Sequence, residues 1–106
     1  IIKGKQINDS KNLFIVSDMV EKPNANNAPS NMAIVGRYIL TPDIFNILKN
    51  TQADKNGEIQ ITDALKIQAK KGKVIAYKFQ GTRFDCGSVS GYVKGINYFA
   101  NKEGVI

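Results

Sequence analysis

The apolar positions of this chain fall into short runs separated by polar and glycine-containing stretches. Leu13-Phe14-Ile15-Val16, followed by Asp18-Met19-Val20, is rich in branched and aromatic residues and predicts extended chain. Pro23, which has no amide hydrogen to continue a ladder, predicts its end near Glu21-Lys22. Asn24 to Ser30 is a polar surface loop. Residues 31–40 (NMAIVGRYIL) are almost continuously apolar over a strand's length, the pattern of a strand covered on both faces in the middle of an α/β sheet. Within that run Gly36 marks a bulge or a place where something approaches the backbone closely. Residues 1–12 are mixed and polar and show no such pattern.

Helical periods dominate the rest. Thr41-Pro42-Asp43 has the makings of a helix start, with Thr41 as cap, Pro42 at the first helical position and Asp43 at the positive dipole end. Ile44, Phe45, Ile47 and Leu48 then mark a buried face. After a polar loop from Asn50 to Gly57, Thr62 reads as the cap of a second short helix carrying Leu65 and Ala69, which ends near Gly72 behind two lysines. Val74 to Gln80 alternates, with Ile75, Tyr77 and Phe79 on one side and Ala76 and Lys78 on the other, and predicts a half-buried strand. The clearest period is the last: Val89, Tyr92, Val93, Ile96, Phe99 and Ala100 form one helical stripe, with Ser88 as cap and Gly104 past the end. Gly91 and Gly95, one turn apart, predict helix backbone held close to a neighbour. The order β, β, α, α, β, α predicts an α/β fold, a mixed sheet flanked by helices. Its strands are few for such a sheet, and the run 31–40 needs neighbours that these residues barely supply.

Composition bounds the function classes. The 106 residues are 42% hydrophobic and 23% charged, enough for one core and one domain. No apolar run approaches the roughly 18 residues that cross a bilayer, and no signal peptide is visible, so no membrane partner is expected. A net charge of +6 suits an anionic partner. The only dense basic cluster, Lys66, Lys70, Lys71 and Lys73, reads as a solvated helix face; without an aromatic platform no nucleic acid is expected either, and a basic nucleic-acid-binding module is kept as an alternative. One cysteine, Cys86, excludes an intrachain disulfide, fits a reducing compartment and reads as a small buried residue. With no histidine, a His-based triad or a tetrahedral zinc site within these residues is excluded.

Four short stretches sit at strand ends or turns, where α/β proteins place ligands. Glu21-Lys22 can offer acceptors to sugar hydroxyls and a point charge to a phosphate, although bare residues of this kind are also ordinary at a solvated strand end. Asp85, before the last helix, is a dipole partner or a ligand for Mg²⁺, which takes hard oxygen donors and few protein carboxylates. Backbone at Ile34 and Gly36 can contact a sugar or form a bulge. Asn56-Gly57-Glu58 is a turn before Thr62-Asp63.

Four blocks in order carry a resemblance: Met19-Val20-Glu21-Lys22-Pro23; Ala28 to Pro42, containing Ile34-Val35-Gly36-Arg37-Tyr38; Gly57-Glu58-Ile59-Gln60-Ile61-Thr62-Asp63-Ala64; and Phe84-Asp85-Cys86-Gly87 with Gly91-Tyr92. Over residues 12 to 102 the chain resembles bacterial UTP-glucose-1-phosphate uridylyltransferases. The family's glycine-rich nucleotide loop is not found, and Gly81-Thr82-Arg83 lies too late in the chain to be it. The resemblance therefore implies that residues 1–106 are a C-terminal, sugar-phosphate-binding portion of a Rossmann-like nucleotidyltransferase domain whose N-terminal nucleotide-binding half is absent. It implies that Glu21 accepts from glucose hydroxyls, that Lys22 neutralises the sugar phosphate as the catalytic residue, that Ile34 and Gly36 line the sugar and that Asp85 holds Mg²⁺.

The activity implied for the intact enzyme is transfer of UMP from UTP to glucose 1-phosphate, giving UDP-glucose and pyrophosphate, with these residues alone inactive. Thymidylyl-, cytidylyl- and adenylyltransferases share the Glu-Lys-Pro element and are the alternatives. A cytoplasmic location and a homo-oligomer, strand-exchanged through unpaired sheet edges, are further expectations.

Overall fold

A computed structural model describes residues 1–106. The elements are β1 (Ile2–Gln6), β2 (Leu13–Met19), α1 (Ile44–Lys49), α2 (Ile61–Lys70), β3 (Ile75–Tyr77) and α3 (Val89–Lys102), with a single 3₁₀ turn at Ala25–Asn27. The strands form one antiparallel sheet in the order β1-β2-β3, so β2 is central and both others are edges. The expected α/β class and the order β, β, α, α, β, α are those of the chain, but the first strand is a different one and every pair within these residues is antiparallel.

β1 lies where no pattern was visible. Lys3, Lys5 and Gln6 are exposed and only Ile2 is buried, so an edge strand is written here almost without hydrophobic alternation. A bulge between Lys3 and Gly4 shifts its register against β2.

The run 31–40 forms no strand. Its first part is extended beside β1: the Ile2 amide donates to the Met32 carbonyl at 3.0 Å, and the Ser30 hydroxyl donates to the Ile2 carbonyl at 2.5 Å. Met32 and Ile34 turn inward onto the core. Beyond Gly36, which has φ of 73°, the run leaves the sheet, and Ile39 is fully exposed. A continuous apolar strand needs partners on both edges to satisfy its backbone, and here there is one hydrogen bond to one side.

The core is Ile2, Val16, Met19, Ile44, Ala64, Leu65 and Ala69. α2 supplies three of these and packs on β2, with α1 beside it. In α1, Ile44 is buried and Ile47 and Leu48 half-buried as expected, while Phe45 is exposed. Thr41 makes no backbone cap; its hydroxyl donates to the Asp43 carboxylate, and Gln68 of α2 donates to Asp43 at 3.2 Å, tying the two helices. β3 is shorter than the stretch 74–80, and the alternation expected of a half-buried strand is seen with the smaller side chains inward. Ala76 and Val74 pack against the core, whereas Ile75 and Tyr77 are exposed.

α3 begins at the expected cap, with the Gly91 amide donating to Ser88 Oγ at 3.1 Å. Its apolar stripe faces solvent: Val89, Tyr92, Val93 and Ile96 are all exposed. The accessible surface is 8387 Å². A compact monomer of this mass exposes about 5,900 Å², so roughly 2,500 Å² more than that remains open. No helix is long and apolar enough to cross a membrane.

Candidate functional site

The end of β2 builds the first half of the site. Val20 continues the pairing with Ile1, donating to the Ile1 carbonyl at 2.8 Å, and the chain then turns. Lys22 makes that turn with φ of 42°, the left-handed region that a residue with a Cβ seldom enters. Pro23 follows and holds the exit.

Glu21, Lys22 and Pro23 line a hollow of about 240 Å³ together with Ile1, Ala33 and Ile34. Because Met32 and Ile34 are anchored in the core, the extended segment 32–34 forms a fixed wall opposite the charged turn. Glu21 and Ile34 thus come together from stretches that the loop 24–30 separates in sequence. Glu21 also receives the Thr62 hydroxyl at Oε2, 2.8 Å away. The Tyr38 hydroxyl has a pKa raised above its ordinary value, chiefly by partial burial and further by the negative charge of Glu21.

Asp85 does not line this hollow. It lies on the wall of a second, much broader trough of about 1410 Å³, lined by apolar residues including Leu40, Phe79 and Phe99, which reaches the first at Ala33 and Ile34. Gly36 lines neither, and the space where its Cβ would stand is open, so nothing approaches the backbone there.

Asp85 opens the turn into α3. Its Oδ1 accepts from the Gly87 amide at 3.0 Å, Oδ2 lies 3.7 Å from Arg83, and its carbonyl accepts from the Ser88 hydroxyl at 3.3 Å. No group of three acidic or cysteine side chains gathers around it. An exposed single carboxylate still fits a hydrated Mg²⁺, whose remaining donors are commonly water and phosphate oxygen. Cys86 is exposed, against the expectation of burial, because the turn stands on α3 at the surface with nothing above it. Phe84 takes the inward place instead, packing against Tyr98 and Phe99.

Thr62 corrects another expectation. Gln60 occupies the N-cap position of α2, and Thr62 lies at the second helical position, buried, with its hydroxyl on Glu21. Local pattern identifies a capping residue type but not which side chain across the sheet it meets. In the loop before α2, Asp54 organises the turn: Oδ1 accepts from the Asn56 amide at 2.8 Å and the Glu58 amide at 3.0 Å, and Oδ2 from Gln60 at 2.9 Å.

Residues 6–102 match the sequence profile described as nucleotidyl transferase. The chain belongs to the nucleotidyl transferase family. Within that family, a UTP-glucose-1-phosphate uridylyltransferase of Pseudomonas aeruginosa is 57% identical over 98 residues, which are 92% of this chain and 34% of the relative. One from Staphylococcus saprophyticus is 47% identical over 91 residues, 86% of this chain and 32% of that protein. Among solved structures, a UDP-glucose pyrophosphorylase complexed with UDP-glucose superposes with a TM-score of 0.88 at 54% identity, over 96% of this chain and 38% of the other. An apo UDP-glucose pyrophosphorylase gives a TM-score of 0.89 at 53% identity, over 97% and 37%. This nucleotidyl transferase chain therefore spans about a third of the length of the curated relatives it matches.

Proposed function

We propose that residues 1–106 are the C-terminal, sugar-phosphate-binding portion of an enzyme that transfers UMP from UTP to glucose 1-phosphate, releasing pyrophosphate and forming UDP-glucose. A glucose 1-phosphate oxygen attacks the α-phosphorus of UTP, and the bond from that phosphorus to the bridging oxygen of pyrophosphate breaks. The observation that carries this reading is the Glu21-Lys22 turn beside the 32–34 wall, on a chain whose relatives bear that activity in their names.

Phosphoryl chemistry of this type asks the protein for positioning and charge neutralisation more than for a general base. Lys22 supplies an ammonium against the sugar phosphate. Glu21 accepts hydrogen bonds from glucose hydroxyls, and backbone at Ala33 and Ile34 bounds the ring, without the part expected of Gly36. Asp85 is this chain's candidate ligand for Mg²⁺, which when bound neutralises phosphate charge. A pocket built this way needs no histidine, and the chain has none. The nucleotide-binding half lies outside these residues, so the 106-residue chain alone is inactive. UTP as co-substrate favours a cytoplasmic setting.

The test uses this sequence in place of the matching third of the Pseudomonas aeruginosa relative. Lys22→Ala is expected to cut UDP-glucose synthesis by orders of magnitude while the protein remains folded; near-normal synthesis overturns the assignment. The isolated chain, given UTP, glucose 1-phosphate and Mg²⁺, is expected to form no UDP-glucose.

A further inference from the structure

Thr62 is a buried polar residue in the first turn of α2 whose hydroxyl caps no backbone amide of that helix and is bonded to Glu21 instead. Thr62, Leu65 and Ala69 form the face that α2 lays on the core, and one turn along the helix Lys66 reaches Asp18 of β2 at 3.4 Å. α2 therefore runs beside β2 and delivers Thr62 to the point where that strand gives out. There its hydroxyl donates to Oε2 of Glu21 at 2.8 Å across 41 residues of sequence. It is the one group that donates to this carboxylate. Glu21 is itself exposed and is followed at once by the left-handed Lys22, so neither its own strand nor the turn holds its side chain. An exposed glutamate without an anchor samples several rotamers, and a ligand that needs one of them must bear the cost of selecting it.

We infer that Thr62 is a positioning residue for sugar recognition: its hydroxyl occupies Oε2 of Glu21, fixes the carboxylate over the hollow and leaves Oε1 to accept from a ligand hydroxyl. This rests on the proposed role of Glu21. A carboxylate with one oxygen held by a buried donor presents a single directed acceptor, whereas a freely rotating one presents a diffuse charge. Thr62 touches no substrate in this arrangement; it acts through Glu21 alone. Its hydroxyl is also satisfied by that contact, so the pair is mutually dependent.

The experiment uses the same chimeric uridylyltransferase. Thr62→Val keeps the shape and removes the donor. It is expected to raise KM for glucose 1-phosphate about tenfold, the scale of one hydrogen bond to a charged group, with KM for UTP and the melting temperature nearly unchanged. Thr62→Ser, which retains a hydroxyl, is expected to restore KM. Thr62→Val added to Glu21→Ala is expected to raise KM no further than Glu21→Ala alone. If Thr62→Val does not fold, Thr62→Ala carries the same comparison. A normal KM in the Thr62 variants alongside a raised one in Glu21→Ala overturns the positioning role and leaves the reading of Glu21 standing. No effect of Glu21→Ala overturns both. Equal increases in both KM values, failure of Thr62→Ser to rescue, or additive losses in the double variant also overturn the inference, since they describe a merely structural threonine.

Discussion

The carbonyl oxygen of Asp85 lies where a side chain on Gly91 would begin: a Cβ at Gly91 would stand 1.9 Å from it. The turn carrying Asp85 is therefore seated directly on helix backbone in the first turn of α3. Phe84 continues the seat, 3.4 Å from the Cβ position of Gly95. The two glycines spaced by four serve this packing, as their spacing predicts.

Gly91→Ala tests the seat. An alanine in an exposed helix would ordinarily stabilise by about 1 kcal/mol, but here the overlap is with backbone that cannot rotate away, and overpacking costs about 1–3 kcal/mol. The expected outcome is faster amide exchange at Gly87 to Tyr92 and weakened contact of Phe84 with Tyr98, read by NMR. An unchanged exchange pattern would mean that the turn is held by other contacts.

Lys22 separates stability from activity. Its φ of 42° costs a residue with a Cβ about 1 kcal/mol that glycine does not incur. Lys22→Gly is therefore expected to melt slightly higher than Lys22→Ala, while both lose UDP-glucose synthesis in the chimeric enzyme. Thermal melts of the two variants side by side check this. Equal melting temperatures would show that the turn relaxes once the lysine is gone.

Acid sensitivity follows from three aspartates. In Asp43 the Thr41 hydroxyl, with Gln68 beside it, holds the carboxyl below its ordinary pKa. In Asp54 the Gln60 amide does so, helped by the Glu58 and Asn56 N–H groups. In Asp18 partial burial is the largest single influence and acts upward, but the Met19 N–H and Lys66 together outweigh it and the pKa falls. Groups with depressed folded-state values contribute stability that is fully present above the unfolded value, near pH 4, and is lost as pH falls through the folded ones. The melting temperature is expected to decline below about pH 4, and Asp43→Asn and Asp54→Asn to flatten that decline. With no histidine, little change is expected between about pH 5 and pH 8.

Open apolar surface predicts association of the isolated chain. The excess of roughly 2,500 Å² over a compact monomer is as large as a stable interface, and β3 presents Ile75 and Tyr77 at a free sheet edge. Sedimentation is expected to show concentration-dependent dimers of the 106-residue chain, through edge pairing or strand exchange. Tyr77→Lys combined with Ile75→Thr is expected to shift them toward monomer. A monomer at all concentrations would require the exposed stripes to be covered in some other way.

Much of the fold was legible because local chemistry sufficed for it. β2 announced itself by branched residues and a terminating proline, α3 by its period and Ser88 cap, and the Asn50–Gly57 loop by its polar run. The family blocks, read in order, led to the nucleotidyl transferases. Three features of how the elements pack were not legible, for the same physical reason. β1 exists because β2 offers it a hydrogen-bonding edge, although its side chains carry almost no pattern. Residues 31–40 carry a strand's pattern, but only Ile2 is there to pair with them, so the pattern goes unused beyond Gly36. The exposed sides of β3 and α3 show alternation and period faithfully, yet nothing within these residues lies against them.

Side-chain pairs across long separations belong wholly to the tertiary structure. Sequence identified Glu21 and Lys22 as chemistry worth noting and Thr62 as a residue that favours helix starts. That Thr62 meets Glu21, that Ala33 and Ile34 face Lys22 across one hollow, and that Asp85 stands apart from them in a wider trough were decided by how α2 and the 32–34 segment pack on β2. Residue type and spacing determine which bonds a side chain can make. Only the packed core determines which partner arrives within reach.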